Sequence, residues 1–63
     1  MDIEDFIAEW DKIKDIQKVI VLKNKAEYYA DTYDFNYEIE RIIFVLNEIA
    51  IGNCNLKDIK VVR

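Results

Sequence analysis

The sequence predicts an all-α fold, a small antiparallel three-helix domain, from three observations. The chain has no proline and a single glycine, Gly52, so little interrupts a helix before that point. Apolar residues recur at spacings of three and four in three successive stretches. A length of 63 residues allows one domain, residues 1–63, with one core.

In the first stretch, Asp2 is suited to cap a helix and Asp5 to sit in its first turn, where the helix dipole favours negative charge. Ile3, Phe6, Ile7, Trp10 and Ile13 form the apolar row, and Ile16 and Ile20 continue it. The period runs on to Ala26, after which Ala26, Tyr29, Ala30 and Tyr33 carry it through a second stretch. A break is expected at residues 31–36, where Asp, Thr and Asn side chains compete for backbone hydrogen bonds. Asp34 or Asn36 then caps a helix over about residues 36–51, with Ile39, Ile42, Ile43, Leu46, Ile49 and Ala50 on one side. Gly52 falls where a left-handed C-terminal cap belongs.

One alternative is open. Lys18–Lys23 reads KVIVLK, rich in β-branched residues, and a two-stranded pairing of residues 18–23 with 58–62 would make the fold α+β. Residues 55–63 read either as Asn55 capping a short helix with Asp58 in its first turn, or as a short edge strand.

A domain this short buries only about 60% of the surface its unfolded chain exposes, so staples or partners matter. Internal staples are few. With no histidine and one cysteine, Cys54, the chain cannot close an internal disulfide or build a Cys/His zinc site. Apolar residues make up 52% of the chain. The uninterrupted run Ile42–Leu46 would occupy every side of a helix, so it either crosses the middle of the fold or meets another chain. No apolar stretch approaches the roughly 18 residues of a membrane span. Residues 1–11 are acidic without one basic residue, the opposite of a signal peptide's start, and a lone thiol fits a reducing compartment. The expected location is cytoplasmic.

Charge is arranged in blocks: −5 over residues 1–11, +4 over 12–25, −5 over 26–40 and +2 over 41–63, for a net charge of −4. Adjacent antiparallel segments of opposite sign are one expectation, and solvated faces are the other.

Catalytic chemistry is sparse. Without histidine or serine, the usual acid–base and nucleophile arrangements are missing, and one glycine cannot form a phosphate-cradling loop. Asp34, Asn36 and Glu38 alternate oxygen ligands, but the central glycine and distal glutamate of a calcium loop are absent. No enzymatic activity, metal or cofactor is expected.

The segment Glu27–Glu40, EYYADTYDFNYEIE, holds five aromatic residues and five carboxylates with no Lys or Arg. Tyrosine is favoured at interface hot spots, and carboxylates speed encounter with a basic surface. Tyr28, Asp31, Tyr33, Asp34, Tyr37 and Glu38 are therefore the candidate partner-binding residues, fitting a basic groove on another protein such as that of a nuclease or polymerase. In size, acidity and lack of catalytic groups the chain resembles, in style and through no particular residue, the small inhibitors of phages and mobile elements, including anti-CRISPR proteins and DNA mimics. That likeness implies an inhibitor or regulator.

A second reading is a homo-oligomeric structural or antitoxin-like protein, a homodimer for instance, with Ile42, Phe44, Val45 and Ile49 on the self-contact. A third is a weak nucleic-acid binder using Lys14, Lys18 and Lys25, which fall at helical spacings of four and seven. A sequence pI near 4.6 opposes that last reading, because the long-range field repels a polyanion.

Overall fold

In the computed structural model, which describes residues 1–63, the chain forms one helix and six strands. Helix α1 spans Ile3–Lys12. Its start follows the sequence: the Asp2 side chain accepts the Asp5 N–H at 2.8 Å, with Glu4 and Asp5 in the first turn and Lys12 in the last. Phe6 and Trp10 form its buried side.

The remaining elements are strands. These are β1 (Lys18–Leu22), β2 (Glu27–Ala30), β3 (Thr32–Asn36), β4 (Arg41–Leu46), β5 (Ile49–Asn55) and β6 (Ile59–Val62). A 3-10 turn, Leu56–Asp58, joins the last two. They make two antiparallel three-stranded sheets ordered β2-β1-β6 and β3-β4-β5. Only Asp31 separates β2 from β3, so one bent stretch of chain passes from the first sheet to the second.

The all-α expectation is thus overturned: this is a mostly β fold and not a three-helix bundle. The helix ends at Lys12, and the 3.6-residue period from Ile13 to Ala26 has no helical counterpart. In its place β1 buries Ile20 and Leu22 on alternate positions. The alternative pairing of residues 18–23 with 58–62 is present, with Ile20 opposite Val62, Val21 opposite Val61 and Leu22 opposite Ile59, but it is one of four strand pairings.

The helix expected over 36–51 is replaced by a turn, β4, a two-residue turn and β5. Ile42 and Phe44 point into the core, while Ile43 and Val45 on the opposite side are also apolar. An apolar outer side erases the in–out alternation that would have announced a strand. The turns were equally silent, because Glu40, Asn47 and Glu48 take positive φ (52°, 52° and 69°) with no glycine or proline to mark them. Asn47-Glu48 joins two directly paired strands, since Leu46 faces Ile49. Asp31 Oδ2 holds that turn by accepting the Asn47 N–H at 3.0 Å.

Gly52 is not a helix cap. It lies in β5 without positive φ, and a Cβ there would collide with the ring of Tyr28, which also lies 5.0 Å from that of Phe44. The glycine is needed because an aromatic ring from β2 crosses its Cα.

Phe6, Ile20, Ile42, Phe44 and Ile59 are the largest fully buried side chains, and they belong to one core cluster fed by the helix and both sheets. Burying each such side chain contributes about 1.5–3 kcal/mol. The tail combines both readings of residues 55–63. Asn55 Oδ1 accepts the Lys57 N–H at 3.1 Å to cap the 3-10 turn, and β6 follows.

Candidate functional site

The hairpin turn at residues 37–40 is where the acidic aromatic segment reaches the surface. Asn36, the last residue of β3, accepts the Glu38 N–H on its side-chain oxygen at 3.0 Å, and Glu40 closes the turn at positive φ before β4 begins. This geometry throws Tyr37 outward, leaving it 74% exposed. Its ring meets that of Phe35 edge-on, with centroids 4.6 Å apart.

The Phe35–Tyr37 pair forms a ridge between two hollows. On the helix side a cleft of about 290 Å³ is lined by Asp2, Ile3, Phe35, Tyr37, Glu40 and Lys57, with Met1 and Leu56 completing the walls. On the other side a shallower hollow of about 450 Å³ is lined by Asp34, Phe35, Asn36, Tyr37, Glu38 and Ile43. Asp2, Asp34, Glu38 and Glu40 therefore flank an aromatic ridge. None of them is in an ion pair, because the single ion pair of the molecule joins Arg63 to Glu27 at 3.1 Å. Arg41, the nearest cation along the chain, donates to Asn53 Oδ1 from Nε at 3.1 Å and from Nη2 at 2.6 Å.

Of the six residues expected to bind a partner, Asp34, Tyr37 and Glu38 come together at this turn. Tyr28, Asp31 and Tyr33 do not join them. Tyr28 packs inward over Gly52 and against Phe44. Asp31 caps the β4–β5 turn. Tyr33 lies under the helix, its ring edge-on to Phe6 at 4.9 Å and to Trp10 at 4.8 Å. Burial raises the Tyr33 hydroxyl pKa, with the Asp11 carboxylate and Tyr37 adding to the rise.

Phe35, Glu40, Asp2 and Lys57 were not among the expected site residues. Phe35 and Glu40 could have been found as neighbours of Tyr37 in an exposed turn. Asp2 and Lys57 arrive from distant parts of the chain, and no local signal marks them.

The four residues expected in a self-contact also divide. Ile42 and Phe44 are fully buried within the chain's own core, Val45 is half-buried, and Ile49 is 66% exposed. The lysine stripe loses its geometric basis, because residues 13–26 are not helical. Lys14 precedes β1, Lys18 begins it with its ammonium 5.2 Å from the Trp10 ring, and Lys25 sits in the turn beyond its far end.

Cys54 is buried in β5, and burial pushes its thiol up to about 11, with Asp58 adding and Arg41 opposing. It is a neutral thiol at physiological pH and a poor nucleophile. No three His, Cys, Asp or Glu side chains converge as a metal site would require, and no helix is long and apolar enough to cross a membrane. Comparison of the chain with protein-family models, with curated proteins and with solved structures finds no match. The class that the fold itself defines is a small two-sheet antiparallel β domain with an N-terminal helix.

Proposed function

We propose that this chain is a small acidic, non-enzymatic protein-binding domain, an inhibitor or regulator that docks an aromatic and acidic ridge onto a basic surface of a partner protein. The observation that carries this reading is the Phe35–Tyr37 ridge, an exposed Tyr37 seated on a half-buried Phe35, with Asp2, Asp34, Glu38 and Glu40 on its flanks outside any ion pair. A ring of this kind supplies rigid apolar contact, and its face attracts a lysine or arginine side chain. The carboxylates steer the encounter and favour a cation in either hollow. Lack of histidine and serine supports binding over catalysis, and one buried, protonated thiol supports work in the reducing cytoplasm.

The test uses an oligolysine peptide as probe, titrated against the protein at low and at high salt. Binding that weakens with salt is expected, and Tyr37→Ala should reduce affinity by about tenfold or more. Glu38→Lys combined with Asp34→Lys should abolish binding. No binding at low salt, or equal binding by all three proteins, would refute the reading.

A further inference from the structure

The two outermost strands of the fold are treated differently. β6 has four residues, carries Lys60, and has its outward Val62 N–H taken by Glu9 of helix α1 at 2.9 Å. Short length, a lysine and a covering helix are the devices by which proteins block a sheet edge. β5 has none of them. It is the longest strand, with seven residues, and the one strand of the six without a charged side chain.

Its backbone is also presented outward. The Leu56 N–H donates to Glu40 O at 3.1 Å, one step beyond the Arg41–Asn55 pair, which makes 40 and 56 a bonded pair. Bonded pairs then fall at Ile42–Cys54 and Phe44–Gly52, so the N–H and C=O groups of Asn53 and Asn55 aim away from β4. Beside this open ladder, Ile43 (37% exposed) and Ile51 (40%) lie on the outward side of the sheet, and Ile49 stands at the strand's start.

We propose that β5 is a self-pairing edge: two copies of this chain join β5 to β5 antiparallel across a two-fold axis near the strand's middle, making one continuous six-stranded sheet. Charge selects the occupant. A chain of net charge −4 repels its copy, and β5 is the strand along which the two can meet without bringing like charges into contact. The covered β6 edge argues against head-to-tail pairing of β5 with β6, so the assembly closes at two.

Size agrees with a reversible dimer. Seven residues run about 24 Å, the full length of a molecule whose extents are 26 × 22 × 21 Å. A strip of that length and about 20 Å depth covers roughly 500 Å² on each copy, near the lower limit for specific interfaces. This inference does not rest on the ridge at residues 35–37.

Sedimentation equilibrium of the full chain from micromolar to millimolar concentration tests it. The expected mass rises from 7.5 kDa to twice that value and does not fall as salt is raised, because salt screens the repulsion between two acidic copies. Ile51→Lys puts a charge beside the ladder, and Asn53→Pro removes an outward N–H and the Arg41 side-chain contact but no backbone hydrogen bond to β4. Each should hold the chain at the single-copy mass while circular dichroism stays that of the parent. In the parent, exchange of the Asn53 and Asn55 amides should slow by about tenfold or more with concentration. A parent chain that stays at 7.5 kDa, a mass beyond two copies, or a dimer that survives both substitutions would each overturn the proposal.

Discussion

In the β2-β1-β6 sheet the outer edge is occupied by Glu9, and Tyr29 is its one large exposed apolar side chain. In the β3-β4-β5 sheet the outer edge carries no charge, Ile49 and Ile51 stand exposed along it and Ile43 beside it on the central strand, with Tyr37 and Ile39 in the β3–β4 turn. The difference shows a division of labour within 63 residues. The first sheet and the helix close the core. The second contributes Ile42 and Phe44 to that core, yet leaves Ile43 and Ile51 exposed on its other side among Thr32, Asp34, Arg41 and Asn53. The exposed isoleucines add little to the monomer's stability, and the self-pairing of β5 proposed above would cover part of them.

The sharpest way to break this comparison is to remove apolar mass from each region in turn. Phe6→Ala, in the closed region, should lose about 3–5 kcal/mol by leaving a cavity under the helix where Tyr33 and Trp10 now pack. Ile49→Ala, in the open region, should change monomer stability by less than about 0.5 kcal/mol. Urea denaturation of both variants at low protein concentration checks the contrast, and equal losses would show that the second sheet's exposed residues are structural.

A second prediction concerns the inward side of β5. The Cys54 thiol is raised to about 11, whereas an unfolded thiol ionises near pH 9 or slightly below. The folded chain therefore keeps a proton that the unfolded chain gives up. Stability is fully present below about pH 8.5 and is lost as pH rises, by about 2–3 kcal/mol on reaching pH 11. Denaturation midpoints followed through that range should fall more steeply for the parent than for Cys54→Ala. Parallel slopes would assign the loss to other groups.

A third prediction is a modest gain. Glu48 holds positive φ in the two-residue β4–β5 turn, where a side chain is disfavoured. Glu48→Gly should stabilise the chain by about 0.5–1 kcal/mol, read as a raised thermal midpoint, and a lowered midpoint would mean that the carboxylate supports the turn.

Parts of this architecture were legible without coordinates. Asp2 and Asp5 announced the start of α1, Asn55 and Asp58 announced the 3-10 turn, and KVIVLK offered the strand that pairs with residues 58–62. The candidate site was legible by half. Asp34, Tyr37 and Glu38 meet at one turn, while Tyr28 and Tyr33 read the same in sequence yet fill the interior, because the bend at Asp31 turns them toward Gly52 and toward the helix.

The sequence by itself determined a short stretch of chain without histidine or serine and with a single cysteine, an acidic aromatic segment in its middle and helix-capping chemistry at its start. Those properties are local or compositional, and need no partner strand to be expressed. Tertiary structure alone decided that residues 36–51 are a hairpin. Apolar spacings of three and four fit a helix as well as a strand whose two sides are both apolar. The choice was made by the hydrogen bonds that β4 finds on either side in β3 and β5, and by a core into which only every second residue of β4 can fit.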